Sequence, residues 1–337
     1  MEAHTMSTTP APSASSASAE LRKPPYLLVV VPCYNEEEVL HSSAGILHEQ
    51  VATLVDNGDV AANSGILFVD DGSKDSTWRI IEELHEQDGT MFHGVKLAHN
   101  KGHQNALLAG MTYAYDTGVD AIISLDADLQ DDPNAITTMV NDYRSGAEIV
   151  YGVRDNRDTD TAFKRGTAVM FYKVMNALGT ETIPNHADYR LLSRKALAAL
   201  MQYQEENLFL RGIVPSIGLP SSKVYYKRGE RQAGESKYPL HKMVSFAVEG
   251  ITSFSVRPLS IITGLGIVSI IVSIAMLIYT LVSVGNGHAV AGWGSLMCSL
   301  WLIGGLILIS LGVIGEYIAK IYIEAKHRPR FIIEQAI

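Results

Sequence analysis

Two long stretches without a charged side chain most constrain what this chain can fold into. The first runs from Ser260 to Val284 and the second from Ala289 to Gly315. A helix needs about 20 apolar residues to cross the hydrocarbon core of a bilayer, so either stretch is long enough. Two buried core helices of a soluble protein are the alternative, but soluble folds rarely hold paired uncharged runs of this length. We therefore expect a transmembrane hairpin over residues 258–317, with helices at about 259–284 and 293–316.

Basic residues orient this hairpin. Arg257 precedes the first span, and the turn Gly285–His288 between the spans contains no Lys or Arg. The residues that follow the second span include Lys320, Lys326, His327, Arg328 and Arg330. Because positively charged flanks stay on the cytoplasmic side, both termini and the soluble part are predicted to be cytoplasmic. The chain is thus expected to be a multi-pass protein of the inner (plasma) membrane that ends in a basic tail at 318–337.

Composition excludes several classes of protein. Lys plus Arg number 27 and Asp plus Glu number 36, and this net charge of -9 argues against a nucleic-acid partner. The two cysteines, Cys33 and Cys298, are too far apart in the predicted layout to form a disulfide or a zinc site. Residues Met1–Ser18 consist largely of Ser, Ala, Thr and Pro, which predicts a disordered tail at 1–24 and no signal peptide.

Residues 25–239 alternate apolar strands with helices. Strands are predicted at 26–31, 65–69, 94–97, 121–125, 149–152 and 223–226, helices at 36–55, 76–87, 104–116, 168–178 and from Ser193, and a loop at 184–190. This order predicts an α/β fold with a doubly wound sheet, whose ligands bind at the carboxyl ends of the strands. No Gly-x-Gly-x-x-Gly motif follows the first strand, which argues against a dinucleotide oxidoreductase.

One further helix is predicted between the sheet and the first span. Apolar residues of Leu240–Phe254 fall on roughly one helical face. We interpret residues 240–257 as an amphipathic helix at the membrane interface, and an ordinary core-packed helix is the alternative.

Two carboxylates follow the fourth predicted strand. Asp126 and Asp128 stand two residues apart, so alternation at a strand end points both in the same direction. Carboxylate and amide oxygens suit Mg²⁺ or Mn²⁺, which bind through a few protein groups plus substrate phosphates. The alternative is that acids at this place only cap the next helix, a role that suits Asp132 ahead of Pro133. The role of Asp131 stays open.

Three motifs together resemble a known enzyme family. Val31–Glu37, Val69–Asp75 and Asp126–Pro133, in this order, resemble the inverting family 2 glycosyltransferases that have the A fold. With the two predicted spans, the resemblance narrows to the polyprenyl-phosphate glycosyltransferases, which include bactoprenol glucosyltransferases and dolichyl-phosphate mannose synthases. The segments Asn100–Leu107 and Gly234–Tyr238 look more like the bactoprenol branch.

The resemblance implies a site residue by residue. The nucleotide sugar is expected to contact Pro32, Tyr34, Glu36, Asp70, Asp71, Lys101 and Asp126. The divalent ion is expected to be bound by Asp128, Gln130 and Asp126, and the catalytic acids are expected to be Asp188 and Asp126. For Asp188 a salt bridge to Arg190, or a helix cap ahead of Ser193, is the alternative. The carboxylates of Asp70 and Asp71 can accept hydrogen bonds from ribose hydroxyls or a uracil imide.

The acceptor implied by the resemblance is a lipid phosphate. A phosphate monoester has a second pKa of about 6, so it is largely dianionic near neutral pH and can attack without a general base. It requires cations, and Arg pairs well with phosphate oxygens. The residues expected to bind it are Arg154, Arg165, Arg211, Arg228, Arg231, Ser236 and Lys237. For each arginine an ordinary solvated surface position is the alternative.

These observations predict an inverting enzyme that moves a hexose from a nucleotide sugar to polyprenyl phosphate. Glucose, UDP-glucose and undecaprenyl phosphate are favoured, and a mannose synthase that uses GDP-mannose is the alternative. A catalytically silent membrane scaffold is the alternative outside the enzymes. A processive polysaccharide synthase is disfavoured because its Gln-x-x-Arg-Trp motif is absent. Gly305 and Gly312 could line a helix contact, which predicts a homo-oligomer.

Overall fold

A computed structural model describes residues 21–155, 186–206, 209–227, 229 and 292–337, with scattered residues between 259 and 286. The predicted helices at 168–178 and 240–257, and most of the predicted tail at 1–24, lie outside the described residues.

The described residues form an eight-stranded mixed sheet with helices around it. Its strands are β1 (Leu27–Cys33), β2 (Gly65–Asp70), β3 (Phe92–Leu97), β4 (Ala121–Ser124), β5 (Ile149–Arg154), β6 (His186–Ser193), β7 (Ser221–Tyr226) and β8 (Ile333–Ala336). The helices are α1 (Leu40–Asp56), α2 (Thr77–Gln87), α3 (His103–Asp116), α4 (Ala135–Arg144), α5 (Arg194–Leu200), α6 (Leu210–Ser216) and α7 (Trp293–Glu324).

Strand β1 lies inside the sheet, between β4 and β2, and all seven of its residues are buried. It pairs in parallel with β2 on one side, Leu28 opposite Gly65, and with β4 on the other, Leu27 opposite Ala121. The strand order is β7-β5-β6-β4-β1-β2-β3-β8, so the chain reverses its direction across the sheet between β3 and β4. Such a reversal opens a crevice at the carboxyl ends of β1 and β4. The predicted mixed α/β fold is confirmed.

Helices cover both faces of this sheet. One face packs Leu47 of α1, Ile81 of α2 and Ile136 of α4 into a common core. The opposite face forms a second core with Leu107 of α3 and Leu197 of α5, together with residues of α6. Both faces of the central strands are therefore dry, which accounts for their continuous apolar sequences.

The prediction of a loop at 184–190 is wrong from His186 onward, where the structure has strand β6. This strand is antiparallel to both of its neighbours, β4 and β5. Tyr189 and Leu191 join one core, while the side chain of Arg190 is completely buried and donates to the carbonyl oxygen of Leu210, 3.1 Å away. Asp188 and Arg190 are charged and lie inside the strand, so the segment lacks the alternation of apolar side chains that would predict a strand.

The C-terminal residues, predicted to be a basic tail, also join the fold. Helix α7 continues to Glu324, and β8 then pairs antiparallel with β3. The backbone groups of Ile337 and Gly94 exchange two hydrogen bonds of 2.9 Å. Strand β8 therefore covers the edge of β3 that would otherwise lie open.

Helix α7 is the one described helix that is long and apolar enough to cross a membrane, over Leu302–Glu324. None of its most apolar window is buried against the rest of the protein. Most of the first predicted span lies outside the described residues, although its described residues 264–266 are helical. The predicted two-helix hairpin is therefore not confirmed.

Glycine at position 110 sets how closely α3 approaches the sheet. A Cβ atom there would lie 2.5 Å from Cγ1 of Val30 and 2.7 Å from Cγ2 of Val69. We expect Gly110→Ala to lower the free energy of unfolding by about 1–3 kcal/mol, since a packed core resists an added methyl group. Thermal unfolding of the purified protein measures this change.

The matched control for this variant is Gly45→Ala in α1. Nothing lies within 4 Å of a Cβ atom at Gly45. Alanine favours a helix by about 1 kcal/mol over glycine, so this variant is expected to be neutral or slightly more stable. Equal losses in the two variants would contradict the close packing of α3.

Candidate functional site

Two loops at the carboxyl ends of β1 and β2 are tied together by hydrogen bonds. Asn35 has a positive φ of 54°, its backbone N–H donates to Oγ of Ser73 at 3.0 Å, and its Oδ1 accepts from the backbone of Lys74 at 2.9 Å. The N–H of Glu36 donates to Oγ1 of Thr77 at 2.9 Å. Tyr34, predicted to contact the nucleotide, is 42% exposed beside these bonds. The loops therefore hold this aromatic side chain at the rim of the crevice.

The two acids at the carboxyl end of β2 have different surroundings. Asp70 is fully buried, and while its Oδ1 accepts from the N–H of Ser73 at 3.1 Å, its Oδ2 has no hydrogen-bond partner. Burial raises the pKa of Asp70. A buried carboxylate oxygen without a donor is costly, so this atom is suited to accept a hydrogen bond from a ligand.

Asp71 fixes the loop that follows β3. Its Oδ1 accepts from the N–H of Lys101 at 2.7 Å and its Oδ2 from the N–H of Gly102 at 2.8 Å. Burial raises the pKa of Asp71, and these two hydrogen bonds oppose that rise. Because both oxygens are engaged by backbone, Asp71 supports the loop that carries Lys101 and the beginning of α3.

The acids after β4 lie in a tight turn. Leu129 has a positive φ of 43°, and its N–H donates to the carbonyl oxygen of Asp126 at 3.2 Å. Oδ1 of Asp128 accepts from the N–H of Gln130 at 3.3 Å. Helix α1 supports the turn, since Oγ of Ser43 donates a hydrogen bond to the carbonyl oxygen of Ala127 at 2.6 Å. The turn thus presents the predicted metal ligands at the crevice.

The chemistry of these donors fits a hard divalent cation. The side chain of Asp126 is 42% exposed, and Asp128 is half-buried. Among the described residues, no group of three or more His, Cys, Asp or Glu side chains could hold a metal ion. Mg²⁺ and Mn²⁺ bind through one or two carboxylates and complete their shells with water and substrate phosphates, so two acids are a sufficient protein contribution.

His103, the first residue of α3, lies between two acids. Its Nε2 is 3.5 Å from Oδ1 of Asp126 and 3.7 Å from Oδ2 of Asp188. Burial raises the pKa of Asp126, His103 lowers it, and the nearby carboxylate of Asp188 raises it again. The imidazole therefore lies between the turn after β4 and the acid of β6.

Asp188 is held by two arginines. The Arg190 guanidinium pairs with its Oδ1, and Arg211 of α6 approaches its Oδ2 at 2.8 Å through one NH2 group. The side chain of Asp188 is 6% exposed. Burial by itself raises the pKa of Asp188, but Arg190 and Arg211 lower it well below its ordinary value. This carboxylate stays ionised and is a poor acceptor of protons at neutral pH.

The structure gives Arg154 a partner that the sequence did not indicate. Its Nε and NH2 groups donate to the two oxygens of Asp131 at 2.9 and 3.0 Å, and the Asp131 side chain is 2% exposed. Burial lowers the pKa of Arg154, but this carboxylate raises it above its ordinary value. The predicted role of Arg154 in phosphate binding stays a prediction. Arg165, Arg228, Arg231, Ser236 and Lys237 lie outside the described residues.

Sequence reasoning missed His103, and it gave the salt bridge between Asp188 and Arg190, which the structure shows, only as an alternative. His103 comes directly after the loop that follows β3, and it is the first residue of α3 at the carboxyl edge of the sheet. That position, in a segment already noted for its resemblance to the bactoprenol branch, was the available signal. The complete burial of Arg190 was not indicated, because sequence alone does not show that a charged residue is buried.

We expect Arg154→Ala to unfold the protein more easily. The change leaves Asp131 buried without its cation, which costs about 3–5 kcal/mol for a broken buried pair. Thermal unfolding of single variants and of the double variant Arg154→Ala/Asp131→Ala measures the effect, and the double variant should recover part of the loss. Full stability of Arg154→Ala would show that the pair contributes nothing to folding.

Comparisons with known proteins show the family to which the chain belongs. The sequence model described as Glycosyl transferase family 2 matches residues 28–201. The chain is 51% identical over 312 residues to the uncharacterized glycosyltransferase YkoT of Bacillus subtilis strain 168, covering 92% of this chain and 91% of that protein. It is 39% identical over 311 residues to the bactoprenol glucosyl transferase of Shigella phage SfV, covering 91% and 97%.

One solved structure also aligns with this chain. Glucosyl-3-phosphoglycerate synthase from Mycobacterium tuberculosis, in complex with Mn²⁺, uridine-diphosphate-glucose and phosphoglyceric acid, aligns with a TM-score of 0.43 and 18% identity. The alignment covers 68% of this chain and 78% of that one.

Proposed function

Because the chain belongs to glycosyltransferase family 2 and is a transferase, we propose that it moves a hexose from a nucleotide sugar to polyprenyl phosphate. The proposed donor is UDP-glucose, and the proposed acceptor is undecaprenyl phosphate presented at the membrane surface. The product is a lipid-phosphate sugar of inverted anomeric configuration. The name of the relative from Shigella phage SfV, a bactoprenol glucosyl transferase, supports this choice of sugar and lipid.

The observation that carries the acceptor assignment is the pairing of Asp188. A sugar hydroxyl acceptor would need a carboxylate that can take up its proton. Asp188 is instead held ionised by Arg190 and Arg211, which lower its pKa. A phosphate monoester is already ionised near pH 7 and needs no such base, so the arrangement favours a phosphate over a hydroxyl.

The proposed donor site uses the loops after β1, β2 and β4. The unpartnered Oδ2 of Asp70 accepts a hydrogen bond from the nucleoside, and the exposed ring of Tyr34 borders the same rim. Pro32, Glu36 and Asp71 shape this rim, and Lys101 lies on the loop that Asp71 fixes. Asp126, Asp128 and Gln130 would hold Mg²⁺ or Mn²⁺, which neutralises charge on the leaving diphosphate.

The proposed reaction is a single displacement. An oxygen of the lipid phosphate forms a bond to the anomeric carbon from one side while the bond to the diphosphate breaks on the other, so the configuration inverts. Arg211 is proposed to orient the incoming phosphate, because its guanidinium pairs with Asp188 while 35% of its side chain is exposed. Asp188 would hold Arg211 in place.

A location at the membrane is also proposed. Helix α7 is apolar and exposed along Leu302–Glu324, a surface that hydrocarbon would cover. Glu324, at the end of this helix, accepts a hydrogen bond of 2.9 Å from the backbone of Glu206. The end of α7 is therefore joined to the chain between α5 and α6, close in sequence to Arg211. A membrane span there would place the acceptor side of the crevice near the lipid headgroups.

A panel of radiolabelled nucleotide sugars tests the proposal. Membranes that contain the protein receive each sugar with Mg²⁺ or Mn²⁺, and the lipid is then extracted. We expect label from UDP-glucose in a lipid fraction that mild acid releases, and Asp128→Asn should lower it at least about 100-fold by weakening the metal site. Glu86→Gln, an exposed change on α2, is the matched control and should keep full activity.

The outcomes of this panel separate the alternatives. Label from GDP-mannose alone would replace the glucosyl assignment with a mannosyl one. Transfer from no donor would leave the scaffold alternative and contradict the proposed enzyme activity. Transfer to a sugar hydroxyl in place of lipid phosphate would remove the acceptor assignment.

The pH dependence of the reaction tests the acceptor chemistry separately. The attacking group is the dianion of a phosphate monoester, whose second pKa is about 6. We expect kcat/KM for the lipid to be constant above pH 7 and to fall about tenfold per pH unit below pH 6. The lowered pKa of Asp188 keeps this residue ionised throughout that range, so it adds no second acid limb. A rate that stays constant down to pH 5 would contradict attack by the dianion.

A further inference from the structure

The position of His103 points to a contact that neither the motifs nor the comparisons assign. We propose that its imidazole binds the hexose that is being transferred and thereby contributes to the choice of sugar. This inference rests on the proposed function, because it presumes that a nucleotide sugar occupies the crevice.

The first step of the argument is geometric. Asp126 belongs to the turn proposed to hold the metal and diphosphate, whereas Asp188 belongs to the cluster proposed to meet the acceptor. Nε2 of His103 lies 3.5 Å from the first carboxylate and 3.7 Å from the second. In a single displacement the anomeric carbon must lie between leaving group and acceptor. The imidazole is therefore beside the place where the sugar ring has to be.

The second step concerns accessibility. The His103 side chain is 43% exposed, and that of Asp126 is 42% exposed, so both face open space in the crevice. Neither distance to a carboxylate is short enough for a strong hydrogen bond. Nε2 can therefore turn to a sugar hydroxyl without losing an optimal bond to protein.

The third step is that the protein holds this residue firmly on both sides. Asp71 fixes the two residues before it, through the N–H groups of Lys101 and Gly102. Gln104, the residue after it, accepts a hydrogen bond of 3.1 Å at its Oε1 from the N–H of Leu210, the first residue of α6. The start of α3 thus joins the nucleotide loop to the helix that carries Arg211. The backbone that carries the imidazole is thus fixed before the ligand arrives, so that only rotation of the side chain is needed to reach the sugar.

Calorimetric binding measurements on the full-length protein with Mn²⁺ test the contact. UDP and UDP-glucose are titrated into wild type, His103→Ala and His103→Gln; GDP and GDP-mannose replace them if the panel names a mannosyl donor. We expect UDP affinity to change less than twofold in both variants. Any tighter binding of UDP-glucose relative to UDP should be lost in His103→Ala, and kcat should fall about 10- to 100-fold, the usual effect of one lost hydrogen bond to a held ligand.

Two comparisons keep the test specific. His103→Gln retains a side-chain donor and should recover part of the sugar-dependent affinity, whereas a merely structural role would not respond to the amide. His99→Gln changes an exposed histidine of the same loop and should behave like wild type. Thermal unfolding of each variant reports any loss of the fold.

The inference is overturned if His103→Ala binds UDP-glucose and turns it over like wild type. It is also overturned if UDP and UDP-glucose lose affinity equally, because the residue would then support the nucleotide site alone. Failure of the proposed function would give a different result, because the wild-type protein itself would then bind neither the nucleoside diphosphate nor the nucleotide sugar.

Discussion

The ion cluster of Asp188, Arg190 and Arg211 is the interaction on which the rest of the structure depends. Arg190 has no exposed surface, and a buried guanidinium is tolerated only when it is paired and hydrogen-bonded. The carboxylate of Asp188 and the carbonyl oxygen of Leu210 supply those partners. This pairing allows β6 to lie between β4 and β5, and so connects the parallel half of the sheet to its other half.

The same pairing links folding to chemistry. A carboxylate that stabilises two guanidinium groups holds its own proton weakly, so the residue that permits β6 to fold is also one that cannot easily act as a base. An acceptor that arrives already ionised removes the need for one. The proposed lipid phosphate is thus consistent with the way this strand is built, because a neutral hydroxyl acceptor would need a base that is less strongly paired than Asp188.

The sequence predicted those parts of the fold that depend on local pattern. Strand β1 is a continuous apolar run, and its burial between two layers of helices follows from that pattern. The turn from Asp126 to Gln130 was predictable for the same reason, because a loop after a buried strand must lie at the carboxyl edge. Strand β8 was not predictable, since all four of its side chains are exposed and its pairing with β3 uses backbone groups that carry no sequence pattern.

Contacts between distant segments account for what the sequence could not show at the site. Asp71 could be predicted to face the crevice, but the sequence does not show that its two oxygens bind the backbone of a loop 30 residues away. The bidentate pair of Arg154 and Asp131 brings together side chains from β5 and from the loop before α4. No sequence pattern marks either residue as a member of a buried ion pair, so only the assembled sheet reveals the contact.

Carboxylates and guanidinium groups lie close together in the crevice. It is rich in carboxylates, yet the proposed substrates are two anions, a diphosphate and a lipid phosphate. Asp131 is paired with Arg154 and Asp188 with its two arginines, and the proposed cation would lie at Asp126 and Asp128. Without that cation the turn after β4 would repel the diphosphate, because like charges at close range oppose binding in a poorly solvated cleft. In the proposed reaction the metal ion therefore serves the donor side, and the guanidinium of Arg211 serves the acceptor side.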